Sequence, residues 1–170
     1  LDQLVDEILL ASRLDAREAD VGTVELVDLI GLAAEECARV DAELDVTAVP
    51  EGLEVRGVAK LLRRALRNLL ENARRYSQGD ITVVLQRHDG QAQLSVLDRG
   101  PGVPPALRER IFEPFYRLPG ASERAGGVGL GLALVRSIAQ RHNGSVRCED
   151  QPDGSGGACF VLRLPLALTK

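Results

Sequence analysis

The chain has 170 residues, of which 45% are hydrophobic and 27% charged, and this composition excludes wholesale disorder. Its formal net charge of −4 argues against nonspecific nucleic-acid binding, which requires a basic surface. The chain lacks the run of roughly 18 apolar residues that a membrane-spanning helix needs. The three cysteines, Cys37, Cys148 and Cys159, match no metal-binding spacing, so we expect buried, reduced thiols, although two could face each other across neighbouring strands.

The first fourteen residues carry an apolar stripe at helical spacing, at positions 1, 4, 5, 8 and 9. The stripe includes the first residue and the chain contains no methionine, so we expect a piece excised from a longer protein. Residues 15–24 interrupt the pattern. We therefore predict a boundary there, with residues 1–19 as the end of a preceding helix and its linker, and residues 20–170 as one domain.

Three further helices are predicted in the remaining sequence, over residues 25–41 with Thr23 as the N-cap, 58–76 and 130–142. Residues 105–111 are expected to form a short helix with a proline near its start. Six segments are predicted as strands, namely 44–49, 53–55, 81–86, 91–97, 145–148 and 158–164. This order predicts an α+β fold, a two-layer α/β sandwich in which about three helices cover a mixed, mostly antiparallel sheet of about five strands.

Two asparagines, Asn68 and Asn72, lie four residues apart on the long predicted helix and therefore share one face. Asparagine is unfavourable inside helices, so the pair requires a reason. One interpretation is an oxygen ligand for Mg²⁺, with Arg75 near phosphates, Tyr76 offering a flat ring and Glu71 polarising a water or hydroxyl. The alternative is a pair of amides that bond a neighbouring loop, beside a solvated Glu71.

Residues 96–104 place Asp98 at the end of a strand, followed by Gly100 and Gly102. Such a carboxylate can accept a hydrogen bond from an exocyclic amine, and the glycines allow close backbone approach to a flat ligand. The alternative is a tight turn in which Asp98 bonds its own backbone.

Glycines occupy every second position, at Gly127, Gly129 and Gly131, where a predicted helix begins. Exposed backbone amides at a helix N-terminus favour the binding of phosphate. The Walker pattern is absent, and the glycine spacing departs from that of dinucleotide-binding folds.

Four segments in order carry a resemblance to a known family: NLLENARRYS from residue 68, DRGPGVP from 98, IFEPFYR from 111 and GGVGLGL from 126. They resemble the asparagine, first glycine, phenylalanine and second glycine boxes of the catalytic, ATP-binding domain of bacterial sensor histidine kinases. That domain belongs to the ATPase group shared with gyrase, Hsp90 and MutL. The resemblance implies a Bergerat-type ATP-binding fold that binds Mg-ATP and donates the γ-phosphate to a histidine, for relay to an aspartate of a response regulator.

The resemblance also implies residue roles at the nucleotide. Asn72 would coordinate Mg²⁺ with Asn68 nearby, Arg75 would contact phosphate, and Tyr76 would pack near the adenine. Asp98 would accept a hydrogen bond from the amino group of adenine, in a pocket shaped by Gly100, Gly102 and Val103. The backbone around the phosphates would come from Gly127, Gly129, Leu130, Gly131 and Leu132. Together with Glu71, the residues expected to act in catalysis are Asn72, Arg75 and Arg117.

Residues 117–126 would form a lid over the nucleotide, with Arg117 reaching the γ-phosphate and with Phe112 and Phe115 as anchors. In many relatives a serine or threonine occupies the position of Ala158 and supports a water at the adenine, so its loss would weaken base binding or pass that role to the backbone.

The first segment is similar to the second helix of the dimerisation domain. Neither His88, in a hairpin, nor His142, at a helix end, has the context of a phosphoacceptor. The implied partners are therefore ATP or ADP, the protein's own dimerisation helices and a receiver domain, without nucleic acid. The resemblance implies a cytoplasmic location, below a membrane anchor elsewhere in the receptor. Two other functions stay open, an ATP-hydrolysing clamp with Glu71 as the base and a non-catalytic interaction module.

Overall fold

A computed structural model describes residues 22–116, 131–152, 154 and 156–167. Within them lie three α-helices, α1 (Leu29–Val40), α2 (Ala59–Tyr76) and α3 (Gly131–Arg141). The strands are β1 (Glu25–Asp28), β2 (Glu43–Asp45), β3 (Glu54–Gly57), β4 (Thr82–His88), β5 (Gln91–Leu97), β6 (Ser145–Asp150) and β7 (Ala158–Pro165). The predicted helix over residues 1–14 lies outside the described residues, so it stays a prediction, as does the boundary after residue 19.

The main sheet has five strands in the order β2-β4-β5-β7-β6. β2 runs parallel to β4, whereas the other three neighbouring pairs are antiparallel. The helices pack beside this sheet, with α2 between α1 and α3. The predicted α+β sandwich, with its mixed and mostly antiparallel sheet, is therefore confirmed. Within the described ranges, no helix combines the length and the apolarity that crossing a membrane requires.

Helix α2 is the centre of the core because one whole face of it is apolar. Its buried residues include Leu61, Leu62, Ala65, Leu66, Leu69, Leu70 and Ala73, each at most 2% exposed. Burial of each leucine contributes roughly 1.5–3 kcal/mol relative to exposure. The prediction of a helix over residues 58–76 is confirmed, and this packing fixes the position of the polar residues on the same helix.

The predicted helix over residues 25–41 is wrong at its start. Residues 25–28 form β1, which pairs antiparallel with β3 in a separate two-stranded sheet. The N-cap is Asp28 and not Thr23, because the Oδ1 atom of Asp28 accepts hydrogen bonds from the amides of Ile30 (3.0 Å) and Gly31 (3.2 Å). The apolar spacing here fits a helix, but pairing with β3, which is distant in sequence, makes this segment a strand.

Smaller differences occur at other element ends. The strands predicted over 44–49 and 53–55 are Glu43–Asp45 and Glu54–Gly57, and they belong to different sheets. The segment predicted as a short helix forms two 3₁₀ turns, Pro105–Leu107 and Arg110–Phe112. Short elements of this kind depend on their tertiary partners more than on local pattern.

His142 connects the end of α3 to the start of α2. Its Nε2 atom accepts a hydrogen bond from the amide of Val58 (3.0 Å), so the proton resides on Nδ1, which donates to the carbonyl of Ile138 (2.8 Å). Burial lowers the pKa of His142 and favours this neutral form. Both ring nitrogens are therefore committed to structural hydrogen bonds.

All three cysteines are free and buried, as expected. Burial raises the pKa of Cys37 and Cys159 to about 11 and that of Cys148 to about 12, so the thiols stay protonated at neutral pH. In the β6–β7 register Cys148 pairs with Phe160, whereas Cys159 pairs with Glu149. Adjacent positions point to opposite faces of a sheet, so the possibility that two cysteines face each other across these strands is wrong.

Candidate nucleotide-binding site

Asp98 directly follows β5 and is 3% exposed. Its Oδ1 atom accepts hydrogen bonds from the amides of Gly100 (2.9 Å) and Ala158 (3.0 Å). Both of these hydrogen bonds go to the same carboxylate oxygen. The two interpretations of Asp98 are thus compatible, because one oxygen closes the local turn while Oδ2 can accept from a ligand.

The glycines after Asp98 allow the backbone to pack against backbone. A Cβ atom on Gly100 would overlap the carbonyl oxygen of Tyr76 at the end of α2. Gly102 has a φ of +78°, and a Cβ there would lie 3.1 Å from the carbonyl oxygen of Gly157. Side chains at either position would push the turn away from α2 or from β7. The sequence prediction assigned these glycines to the approach of a ligand, whereas the contacts described are with the protein itself.

Ser77 is a residue that the sequence analysis missed. It follows α2, is 4% exposed, and its Oγ atom accepts from the amides of Gly79 (3.2 Å) and Arg99 (3.1 Å). The bond to Arg99 ties the end of α2 to the turn that begins at Asp98. A hydroxyl at a helix C-terminus is the signal that could have identified it, but its long-range partner is set only by the fold.

Asn68 links α2 to the start of α3. It is 5% exposed, and its Nδ2 atom donates to the carbonyl of Gly131 (3.2 Å), the first residue of α3. This contact fits the alternative interpretation of Asn68, in which its amide bonds a neighbouring segment of the chain. It also brings the asparagine segment beside the end of the second glycine segment, as the resemblance implies.

The other predicted residues of α2 are more accessible than Asn68. Asn72, Glu71 and Tyr76 are half-buried, and Arg75 is exposed. Asn72 and Arg75 lie one and two turns beyond Asn68, towards the end of the helix that contacts the Asp98 turn. This arrangement gives one accessible helix face between the Asp98 turn and the start of α3.

Val103 and Leu132 are half-buried and pack against the core. Gly131 and Leu132 open α3. The remaining predicted residues of the second glycine segment and the lid, Arg117, Gly127, Gly129 and Leu130, lie outside the described residues.

The two phenylalanines of the third segment lie in different environments. Phe112 is 1% exposed and makes an edge-to-face contact with Phe160, with ring centroids 6.2 Å apart. The guanidinium of Arg136 on α3 lies 5.7 Å from the Phe112 ring centroid. Phe115 is 65% exposed and has a φ of +67°, an uncommon value for a bulky residue. Phe112 thus fixes the segment to the core, while the role of both rings at a lid stays a prediction.

A family model described as "Histidine kinase-, DNA gyrase B-, and HSP90-like ATPase" matches residues 57–168. This range contains α2, the Asp98 turn, the phenylalanine segment and α3, which are the elements that meet at the site. The chain belongs to this ATPase family.

Relatives that match this chain include sensor histidine kinases. The sensor-like histidine kinase SenX3 of Mycolicibacterium smegmatis is 35% identical over 97% of this chain, which spans 44% of the length of that relative. The solved structure of the mycobacterial sensor histidine kinase MprB has a TM-score of 0.73 and 32% identity, covering 86% of this chain and 100% of its own. Full-length ShkA, crystallised in complex with AMPPNP, has a TM-score of 0.77 and 27% identity over 98% of this chain and 36% of its own. The resemblance found in the sequence is therefore confirmed at the level of the domain.

Proposed function

We propose that this domain binds Mg-ATP as the kinase domain of a sensor histidine kinase and donates the γ-phosphate to a histidine on a dimerisation helix. The observation that carries the proposal is the half-engaged carboxylate of Asp98. The described amides of Gly100 and Ala158 hold its Oδ1 at 2.9 and 3.0 Å, and Oδ2 would accept a hydrogen bond from the amino group of adenine. The family membership supports the same ligand, and so does the AMPPNP complex of the similar ShkA chain.

The nucleotide would lie along the accessible face of α2. With the base at Asp98, Gly100, Gly102 and Val103, and with Tyr76 beside it, the triphosphate would extend towards Arg75 and the start of α3. The backbone of Gly131 and Leu132 would contact the phosphates, since free amides at a helix N-terminus favour anions. Gly127, Gly129, Leu130 and Arg117 would complete this part of the site.

Asn72 fits the requirements of a Mg²⁺ ligand. Its amide oxygen is a hard donor on an accessible helix face, and Mg²⁺ in nucleotide sites takes few protein ligands beside phosphate oxygens and water. When bound, the ion would neutralise charge on the phosphates. Asn68, fixed to Gly131, would hold α2 and α3 at the spacing that the phosphates require.

Catalysis would depend on positioning and charge neutralisation. A ring nitrogen of the acceptor histidine would attack the γ-phosphorus, a new P–N bond would form, and the bond to the β-phosphate oxygen would break to release ADP. Arg75 and Arg117 would stabilise charge on the transferred group. Glu71, next to Asn72, would orient the acceptor. The phosphoryl group would then pass to an aspartate of a receiver domain.

Calorimetric titration of ATP into the chain, with Mg²⁺ and with EDTA, tests the binding step. Asp98→Asn keeps an Oδ1 acceptor for the turn but can present an NH₂ group to the adenine amine, so we expect affinity to fall at least about ten-fold. Asn72→Ala should remove the Mg²⁺ dependence. Asp89→Asn, in the exposed β4–β5 hairpin, is the matched control and should leave binding unchanged. If the parent chain fails to bind ATP at millimolar concentration, the proposal is wrong.

The transfer step needs a separate assay. Labelled ATP is incubated with this chain and a dimerisation hairpin from the longer protein, supplied in trans. Acid-labile label on the hairpin histidine is expected. Confirmed ATP binding without such label would contradict the kinase role. Steady ATP hydrolysis that disappears in Glu71→Gln would support the clamp instead.

A further inference from the structure

Gln151 lies in the connection between β6 and β7, outside all four segments that carry the family resemblance. Its side chain is buried, with 6% exposure. The Nε2 atom donates to the backbone carbonyl of Asp98 at 2.6 Å and to that of Ala158 at 3.3 Å. One buried amide thus joins the end of β5 to the beginning of β7.

The carbonyl of Asp98 is available because the β5–β7 ladder is irregular at this point. The register ends at Leu97 and Cys159, so Asp98 and Ala158 are the next opposed residues. The amide of Asp98 donates to the carbonyl of Ala158 at 3.0 Å, as in a regular antiparallel pair. The return bond differs, because the amide of Ala158 donates to the side-chain Oδ1 of Asp98 and not to its carbonyl.

Gln151 allows the amide of Ala158 to donate to the side chain of Asp98 and not to its carbonyl. A buried carbonyl without a donor is costly, and Gln151 supplies the donor that the ladder no longer gives to Asp98. If Gln151 no longer donates to the Asp98 carbonyl, the change that costs least free energy is for the amide of Ala158 to donate to that carbonyl instead of to Oδ1. Oδ1 would then accept the hydrogen bond from the amide of Gly100 but not the one from Ala158, and the carboxylate could rotate.

We propose that Gln151 is a positioning residue that keeps the Asp98 carboxylate oriented for the exocyclic amine of the base, and so sets the preference of the site for adenine. This inference rests on the proposed function, since it assumes that Asp98 accepts a hydrogen bond from the amino group of adenine.

The test compares ATP with inosine triphosphate, which carries an oxygen in place of the amino group, by titration into the whole 170-residue chain. Gln151→Leu keeps a similar volume but has no donor. We expect its ATP affinity to fall about three- to ten-fold, the range of a single hydrogen bond, while its affinity for inosine triphosphate changes less. The ratio of the two affinities should therefore fall. Gln93→Leu is the matched control, because Gln93 is a half-buried glutamine of β5 that bonds Gln86 and Arg163 and lies five residues before Asp98, and its ratio should stay at the parent value.

A purely structural role would lower stability, or weaken both nucleotides equally, without moving the ratio. That result would overturn the inference. If Gln151→Leu does not fold, Gln151→Met provides the same comparison, since it keeps the length of the side chain and also lacks a donor.

The parent chain separates the two proposals. If it binds ATP and inosine triphosphate equally, adenine recognition by Asp98 fails and this inference fails with it. If the parent prefers ATP and both Gln151 variants retain the full preference, the inference about Gln151 alone is overturned.

Discussion

Glu36 on α1 is a buried carboxylate that three arginines surround. Its side chain is 2% exposed, and Arg67 on α2 binds both oxygens, with Nε donating to Oε1 at 2.8 Å and Nη2 donating to Oε2 at 3.0 Å. Arg63 and Arg39 add contacts at 3.0 and 3.3 Å. Replacement of Glu36 by glutamine removes the charge with little change of shape, so the three arginines lose the anion that they share.

The pKa of Glu36 gives the size of the expected effect. The bond to Arg67 is the largest cause that lowers this pKa, from an ordinary 4.5 to about 2. At about 1.4 kcal/mol for each pKa unit, the drop corresponds to roughly 3 kcal/mol of folding free energy. Because the side chains of Arg63 and Arg67 are 38% exposed, water screens the interaction, and we expect Glu36→Gln to cost about 2 kcal/mol at pH 7.

The pH dependence has a definite sign. The folded pKa of Glu36 lies below the unfolded one, so its contribution is fully present above about pH 4.5 and is lost as the pH falls towards 2. The difference in stability between parent and variant should therefore be constant from pH 7 to 5 and shrink in acid.

Urea unfolding followed by far-ultraviolet circular dichroism at several pH values measures this difference. Glu35→Gln is the control, because Glu35 also pairs with Arg63, at 2.7 Å, but is 65% exposed and should cost less than about 0.5 kcal/mol. An equal loss in both variants, or a Glu36→Gln loss that does not change with pH, would refute the argument that burial strengthens this cluster.

Three further predictions concern stability. Asp28→Ala removes the N-cap of α1 and should lower the unfolding free energy by about 1 kcal/mol in the same urea assay, whereas an unchanged value would contradict the capping role of this side chain. Phe112→Ala should cost about 3–5 kcal/mol because it opens a cavity beside Phe160, and a cost below about 1 kcal/mol would contradict the packing described. Because the pKa of His142 is lowered on folding, stability should fall as the pH drops below about 6.5, and His142→Gln should remove this part of the pH profile. The same profile in parent and variant would contradict this reasoning.

Local pattern was sufficient for the long and strongly periodic elements. The apolar face of α2 and the hairpin of β4 and β5 could be located because each buries a continuous stripe at its own period. The same reasoning failed at β1, whose apolar spacing fits a helix and whose strand conformation comes from pairing with β3. Local spacing cannot report a partner that is distant in the chain.

The sequence by itself determined which chemical groups are available for nucleotide binding, because Asn68, Asn72, Asp98 and their neighbouring glycines occur in a recognisable order. Only the tertiary structure decided how these groups are held. The hydrogen bonds from Asn68 to Gly131, from Arg99 to Ser77 and from Gln151 to Asp98 all join residues far apart in sequence. Such buried polar contacts form where folding leaves a donor and an acceptor together without water, a condition that depends on the position of every packed element and not on any local pattern.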